Sequence, residues 1–215
     1  MSHYTSVFLD RTFSEGLRVA IAGGTQMYGV TRRLEPRNLG INVWAIGYGQ
    51  VDHELPHVHP NALVTFLSML YAPRSKPSLI AAPKFKETWV WPAIYPPGGQ
   101  NVRRMIVGSC AVFDADSPYA RVLGKEMTDF LMDEHVMGDF LGVFIKADGS
   151  IVEPYAPSMT VSYITAADLR AFAKRDDAIV LLAAGGGAKI KLMRLVIELG
   201  LCNTLITDDR TAKLL

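Results

Sequence analysis

Two glycine-rich turns, each between an apolar segment and a helical pattern, constrain this chain more than any other feature. The first is Gly23-Gly24-Thr25 after 17–22, and the second is Gly185-Gly186-Gly187 after 178–183. Such a turn presents backbone N–H groups at the positive end of a helix dipole, where an anion can bind. Lys189 falls in the first turn of the second helix, where the dipole disfavours a cation by about 0.3–1 kcal/mol. An anion between Lys189 and the helix end would explain this placement, so the sequence predicts a phosphate-binding α/β domain.

The composition indicates one globular domain with a full core. The chain has 215 residues, of which 49% are hydrophobic and 20% are charged. With 22 basic and 21 acidic residues, the charge is too balanced for a broad nucleic-acid-binding face. Cys110 and Cys202 lie in or beside apolar segments, which favours free thiols in a reducing compartment. Without a signal peptide or an apolar run of about 20 residues, we expect a cytoplasmic protein with no membrane contact.

Apolar segments and helical patterns alternate along the chain. We predict residues 1–16 to be a short N-terminal lead-in and residues 17–215 to be a single domain. The predicted strands are 17–22, 41–46, 78–82, 105–111, 140–145, 151–153, 178–183 and 204–206, and the predicted helices follow Gly24 or span 61–71, 123–132, 165–172, 188 onward and a short last segment after Thr207 or Asp208. Asp148-Gly149 predicts a hairpin turn, and Thr165 with Asp168 predicts a capping box. This order predicts a Rossmann-like, mostly parallel sheet with helices on both faces and ligands at the carboxyl ends of its strands.

A histidine-rich loop contains residue types that bind zinc. His53, His57 and His59 lie close together, with Asp52 and Glu54 beside them. Prolines at 56 and 60 interrupt the segment, and no further set of ligands accompanies it. We therefore expect no metal and no cofactor.

Five motifs together resemble the sugar-binding, or effector, domain of SorC-type transcriptional regulators. They are Gly23-Gly24-Thr25, His59-Pro60-Asn61, 138–144 (Gly-Asp-Phe-Leu-Gly-Val-Phe) with Asp148-Gly149, 184–189 (Ala-Gly-Gly-Gly-Ala-Lys) and 203–208 (Asn-Thr-Leu-Ile-Thr-Asp). The likeness spans about residues 17–215 and rests on the order and spacing of the motifs. It implies a fold akin to ribose-5-phosphate isomerase and glucosamine-6-phosphate deaminase, and a phosphorylated sugar or polyol as ligand.

The resemblance also implies which residues contact the ligand. It assigns the phosphate to Gly23, Gly24, Thr25 and Lys189, with Gln26 counted in the same turn. It assigns the sugar hydroxyls to Asp139 with help from His59, and Arg121 falls near a position where family members carry a ligand-contacting arginine. The residues alone leave alternatives open: Asp139 also fits a turn aspartate that binds backbone N–H groups, His59 an ordinary loop histidine, and Lys189 a solvated lysine.

The chain departs from the family pattern in two places. Regulators of this type carry a helix-turn-helix before the effector domain, whereas only residues 1–16 precede the first predicted strand here. We therefore expect a piece of a regulator or a stand-alone domain, with DNA contacted only through a separate module and not by this chain. The segment 83–104, with Trp89, Trp91 and Tyr95, replaces a helix usual in the family. These aromatic residues suit a lid over the ligand, a contact between subunits, or a loop folded on itself.

The resulting hypothesis is a ligand-sensing domain, not an enzyme, that assembles as a homodimer or larger homo-oligomer. One alternative is an isomerase-like enzyme in which Asp139 and His59 move a proton between adjacent carbons of a sugar phosphate. The other is an interaction domain whose site has decayed.

Overall fold

The computed structural model describes residues 1–46, 54–79, 104–116, 118–152 and 164–215. In this part of the chain the strands are β1 (Arg18–Ala22), β2 (Asn42–Ile46), β3 (Lys76–Ser78), β4 (Arg104–Gly108), β5 (Cys110–Val112), β6 (Val136–Phe140), β7 (Val143–Lys146), β8 (Ile151–Val152), β9 (Ala178–Ala183) and β10 (Thr204–Ile206). The helices are α1 (Ser2–Thr12), α2 (Thr25–Thr31), α3 (Pro60–Leu70), α4 (Pro118–Leu123), α5 (Lys125–Asp133), α6 (Ala166–Ala173), α7 (Ile190–Glu198) and α8 (Asp209–Ala212), with 3-10 turns at Pro56–Val58 and Gly187–Lys189.

The central sheet is parallel, in the order β10-β9-β4-β1-β2-β3. The chain runs outward from β1 to β3, returns to the other side of β1 with β4, and continues outward to β10. This is the doubly wound order, and its topological switch point lies between β1 and β4. Ligands of such sheets bind outside the carboxyl ends of the strands at that point. The Rossmann-like α/β fold predicted from the sequence is confirmed.

A second, four-stranded antiparallel sheet, β5-β6-β7-β8, accompanies the parallel one. The predicted hairpin at Asp148-Gly149 is confirmed as the connection between β7 and β8. Three predicted strands were wrong in extent. The strand predicted for 78–82 lies at Lys76–Ser78, and residues 80–82 fall outside the described ranges. The segment 105–111 is divided at Ser109, where the chain leaves β4 for β5. The segment 140–145 contains the tight turn Leu141-Gly142 between β6 and β7, with both residues at positive φ (57° and 84°).

Each face of the central sheet is covered. Alternate residues such as Val19, Val43 and Val107 pack with Leu9 of α1 and Leu67 of α3. The intervening strand residues, such as Ala20, Ile106 and Val180, face the opposite side of the sheet. There they pack with Leu169 of α6, Leu192 of α7 and Phe140 of β6. A third cluster joins α5 to the second sheet. Both faces are therefore buried, as the continuous apolar strands predict.

Helix α1 lies within residues 1–16, for which the sequence predicted a lead-in but no helix. Its sequence looks polar, yet Thr5 and Ser6 are buried beside Leu9. Their hydroxyls donate to the carbonyl oxygens of Met1 and His3 in the preceding turn, so the polar atoms are satisfied within the helix. Hidden hydroxyls of this kind explain why the pattern of apolar residues did not predict the helix.

Predicted helix ends are confirmed at two places. Thr165 and Asp168 form the capping box of α6, each bonding the other's backbone N–H. The Asp208 side chain caps α8. Neither these helices nor any other within the described ranges is long and apolar enough to cross a membrane.

Candidate functional site

The carboxyl ends of β1, β4 and β9 lie at one level. In the register of the sheet Ile21 pairs with Val107, and Gly108 pairs with Leu182. The first glycine turn leaves β1 and the second leaves β9, so the two turns flank the end of β4. Two strand spacings amount to about 10 Å. The sheet therefore brings both predicted anion-binding turns to the same edge, around the switch point.

The first glycine turn packs closely against the loop before α3. The N–H of Gly24 donates to the carbonyl oxygen of Val58 at 2.8 Å. A Cβ on Gly23 would lie 2.7 Å from both that oxygen and Cδ of Pro60, so only glycine fits without displacing the loop. Gly24 has φ 108° and ψ 160°, and the space where its Cβ would be is open. The turn is thus fixed on one side by the loop before α3, and the side where a Gly24 Cβ would lie is open.

The two polar residues after this turn differ in environment. Thr25, the first residue of α2, is exposed. Gln26 is partly buried, and its Nε2 has no hydrogen-bond partner among the described residues. An amide donor left unpaired beside the turn suits a ligand with acceptor oxygens.

His59 and Arg121 are both tied to the loop that packs on Gly23. The buried His59 caps α3, and its Nδ1 accepts from the N–H of Asn61 at 3.2 Å, which assigns the imidazole proton to Nε2. Arg121, on α4, pairs with Glu54 at 2.8 Å near the start of this loop. Both side chains of that pair are substantially exposed, so the ion pair contributes little stability.

The second glycine turn has the same backbone conformation at its N-cap. Gly186 has φ 98° and ψ 144°, close to the angles of Gly24, and a Cβ there would also meet open space. Gly186, Gly187 and Ala188 are exposed. The first N–H groups of a helix have no partner within the helix, so those of Gly187 and Ala188 are open to an external acceptor.

Lys189 and Asp139 both carry their charge close to Cys110. Burial raises the pKa of the Cys110 thiol to about 12, while the Lys189 cation lowers that pKa and the Asp139 carboxylate raises it. Both charges are therefore near Cys110, at the start of β5. No carboxylate of the described residues forms a salt bridge with Lys189. A cation that forms no salt bridge within the described ranges, beside N–H groups open to an acceptor, suits an anionic ligand.

Asp139 is buried within β6, and its Oδ2 accepts from the N–H of Gly142 at 2.9 Å. This bond holds the turn between β6 and β7, whose tip residue Leu141 packs against Gly108 at the end of β4. A Cβ on Gly108 would overlap Cδ2 of Leu141 and lie 3.5 Å from Cβ of Ala22. The turn-aspartate alternative is therefore confirmed as one role of Asp139. The bond from Gly142 to Asp139 also holds the turn over the switch point, where Leu141 contacts Gly108.

The predicted site residues thus form two groups that meet at the end of β4. Gly23, Gly24 and His59 share the loop before α3, and Arg121 reaches it through Glu54. Asp139 and Lys189 lie around Cys110. Gly108, which touches Leu141 and lies next to Ala22, connects the two groups.

Metal-ligating residues do not cluster in the described ranges: no group of three or more His, Cys, Asp or Glu side chains could hold an ion there. His53 and Asp52 of the histidine-rich loop lie outside these ranges, as do Trp89, Trp91 and Tyr95. Both cysteines are free, as predicted.

Sequence reasoning missed the residues that shape the site from behind. They are Val58 and Pro60 behind the first turn, Thr211 behind the second, and Leu141 at the end of β4. Pro60 and Leu141 lie in the motifs 59–61 and 138–144, and the motif 203–208 marked Asp208 as a cap, but none of these motifs predicted the contacts themselves. Asn203, in the last of these motifs, is structural: its side chain accepts from the N–H of Val180 and donates to the carbonyls of Ala173 and Ala178.

Solved structures share this fold over nearly the whole chain. A transcriptional regulator from Streptococcus pneumoniae TIGR4 matches with a TM-score of 0.76 and 16% identity, over 99% of this chain and 82% of the other. The full-length sorbitol operon regulator SorC from Klebsiella pneumoniae matches with a TM-score of 0.73 and 18% identity, over 99% of this chain and 70% of the other.

A DeoR family transcriptional regulator from Listeria monocytogenes gives a TM-score of 0.73 at 15% identity, over 99% of this chain and 85% of the other. Other matching structures are named as candidate sugar-binding domains of such regulators. No family model and no curated protein matches the sequence. The chain therefore has the fold of the sugar-binding regulator domains of the SorC and DeoR type, as the sequence motifs predicted.

Proposed function

We propose that this chain is a ligand-sensing domain that binds a small phosphorylated sugar or polyol at the carboxyl ends of β1, β4 and β9. The phosphate binds between the two glycine turns, with Lys189 as its counter-ion. Thr25 and Gln26 contribute donors from the first turn. Asp139 accepts from the sugar hydroxyls, His59 donates to them through its Nε2–H, and Arg121 approaches from α4.

The observation that carries the proposal is the pair of matching turns. Gly24 and Gly186 have nearly the same positive-φ conformation, open space in front, and an equivalent position at the start of a helix. Lys189, which has no salt bridge within the described residues, stands beside one of them. Two sets of backbone donors and one cation without a salt bridge in the described part of the chain, all at a single edge, favour an anion with several acceptor oxygens.

The solved structures support the sensing role. The matching chains named above are transcriptional regulators, and one of them regulates a sorbitol operon. In a regulator, a ligand acts by shifting a conformational or oligomeric equilibrium that a DNA-binding module reports. We include self-association and a cytoplasmic location in the proposal, and the free thiols Cys110 and Cys202 suit a reducing compartment.

A thermal-shift screen tests the ligand class. We expect one or more pentose or hexose phosphates to stabilise the fold, and the parent sugars to do so far less. A ligand at a hundredfold its Kd adds about 2.7 kcal/mol to the free energy of unfolding. Equal shifts from a sugar and its phosphate, or no shift from any phosphate, would contradict the proposed site.

The role of Lys189 has a matched control on the same helix. We expect Lys189→Ala to weaken binding of the best sugar phosphate by about 1.5–3 kcal/mol, the value of a charge-assisted contact. Lys191→Ala removes the same charge from an exposed position two residues away and should leave affinity within about twofold. Calorimetry measures the affinity of both variants. Equal affinities would indicate that Lys189 is a solvated lysine that does not contact the ligand.

Asp139→Asn tests the recognition of hydroxyls. The amide keeps a carbonyl oxygen for the N–H of Gly142, so the turn should survive, whereas one charged acceptor is replaced by a donor. We expect weaker binding of the sugar phosphate and an unchanged response to inorganic phosphate. A parallel loss for both ligands would indicate a general electrostatic effect instead.

A further inference from the structure

The second glycine turn is hydrogen-bonded to a residue 25 positions further along the chain. The N–H of Gly186 donates to Oγ1 of Thr211 at 2.9 Å. The Thr211 hydroxyl in turn donates to Oδ2 of Asp208 at 2.8 Å, and Oδ1 of Asp208 accepts from the N–H of Thr211 at 2.9 Å. The bond from the N–H of Thr211 to Asp208 is that of an ordinary helix cap. The bond to Gly186 exceeds what capping α8 requires.

The direction of these bonds is fixed by their chemistry. A carboxylate only accepts, so the single hydroxyl proton of Thr211 must point to Asp208, and its lone pairs are left for the N–H of Gly186. Hydrogen bonds from the backbone and side chain of Thr211 hold the pKa of Asp208 below its usual range, so the carboxylate stays ionised near neutral pH. Thr211 is only 2% exposed, so water does not compete for its hydroxyl.

Steric contact adds to the hydrogen bonds. A Cβ on Gly185 would overlap Oδ2 of Asp208, so the turn lies directly against the cap of α8. The carbonyl oxygen of Ile206 also accepts from the N–H of Ala184 at 3.2 Å. Residues 184–186 are therefore fixed by the segment 206–211. Gly187 and Ala188, whose N–H groups are exposed, come directly after these fixed residues in the chain.

We propose that Thr211 is a positioning residue for the anion-binding turn, and that the N–H groups of Gly187 and Ala188, not that of Gly186, contact the phosphate. The inference rests on the proposed function of the turn. The Thr211 hydroxyl occupies the N–H of Gly186 in advance and orients the next two N–H groups toward the ligand. Preformed donors bind better because no ordering cost remains to be met at the moment of binding.

Amide resonances of the ¹⁵N-labelled protein test the inference without any substitution. Titration with the sugar phosphate that stabilises the fold most should shift the amide signals of Gly187 and Ala188 more than that of Gly186. The Gly186 amide should be protected from exchange with solvent before ligand is added. A larger shift at Gly186, or a rapidly exchanging Gly186 amide in the free protein, overturns the assignment.

Two substitutions test the positioning role. Thr211→Val keeps the shape but cannot accept from Gly186, and we expect affinity for the same sugar phosphate to fall about three- to tenfold, the effect of one hydrogen bond. Thr211→Ser restores the hydroxyl and should bind within about twofold of the wild type. Thr12→Val removes a hydroxyl that bonds only within α1, to Phe8, and controls for the change of residue type.

The outcomes separate this inference from the proposed function. If the wild type binds no sugar phosphate, the proposed function fails, and faster exchange of the Gly186 amide in Thr211→Val still tests whether the Thr211 hydroxyl holds that N–H. If the wild type binds and Thr211→Val binds equally well, the positioning role is wrong. A loss in Thr211→Ser as large as in Thr211→Val also refutes it, because packing and not the hydroxyl would then be responsible.

Discussion

Gly23 and Gly187 offer a prediction in which the same substitution has opposite effects on stability. An alanine Cβ at Gly23 would lie 2.7 Å from the Val58 carbonyl oxygen and 2.7 Å from Cδ of Pro60. Neither atom is the far end of a flexible side chain, so the loop itself must move. A Cβ at Gly187 would meet nothing within 4 Å. The two positions therefore separate the effect of close packing from the general effect of replacing glycine.

The magnitudes follow from two opposing contributions. Overpacking at Gly23 costs about 1–3 kcal/mol, and replacing glycine restores about 0.4–1 kcal/mol by restricting the unfolded chain. We expect a net loss of about 1–2 kcal/mol for Gly23→Ala. At Gly187 only the favourable contribution of about 0.4–1 kcal/mol remains. For a domain of this size 1 kcal/mol changes Tm by about 2–4 °C, so Gly23→Ala should melt roughly 2–8 °C lower and Gly187→Ala roughly 1–4 °C higher.

Thermal and urea unfolding, followed by far-ultraviolet circular dichroism, measure both effects. The urea midpoints should change in the same directions as Tm, with the m-value unchanged because the same surface is exposed on unfolding. If Gly23→Ala melts at or above the wild type, the close contact between the first glycine turn and the loop before α3 is wrong.

Three further predictions concern stability and assembly. Thr165→Ala removes the capping box of α6 and should cost about 1 kcal/mol in urea unfolding; no loss would contradict the cap. Hydrogen bonds from Arg175, opposed by partial burial, hold the pKa of Asp177 below its usual range in the folded protein. The Asp177 carboxylate therefore stabilises the fold fully above its unfolded pKa of about 4, and this stabilisation is lost as the pH falls through the lower pKa of the folded state. Asp177→Asn should therefore be less stable than the wild type at pH 7, and the difference should shrink at pH 3; a constant difference would refute this linkage. Light scattering should show a dimer or larger assembly at micromolar concentration, and a monomer would contradict the proposed self-association.

Features of the fold that depend on short stretches of sequence could be predicted. The strand–turn–helix segments at Gly24 and Gly186, the capping box at Thr165 and the hairpin at Asp148-Gly149 each depend on residues within a few positions of one another. Their residue types favour one local conformation whatever surrounds them. That the sheet is mostly parallel, though not the order of its strands, followed from the alternation of these segments.

Features of the fold that depend on contacts between distant residues could not be predicted from the sequence. The turn Leu141-Gly142 lies in an apolar run that predicts a continuous strand, and its conformation depends on the bond from Gly142 to Asp139 and on packing against Gly108. The bond from Gly186 to Thr211 joins residues whose sequence shows no sign of their contact. Tertiary contacts override local preference at these places.

The position of β4 has a consequence for biosynthesis. This strand lies in the middle of the sheet, between β1 and β9, yet β9 follows it by some seventy residues in the chain. While the chain is being made, β1 to β4 can pair before β9 exists, and β4 is then an edge strand with Met105, Ile106 and Val107 along it. An apolar edge of this kind is a template for pairing with other nascent chains. Aggregation during expression should therefore be highest for chains that stop short of β9, and the later arrival of β9 closes the edge.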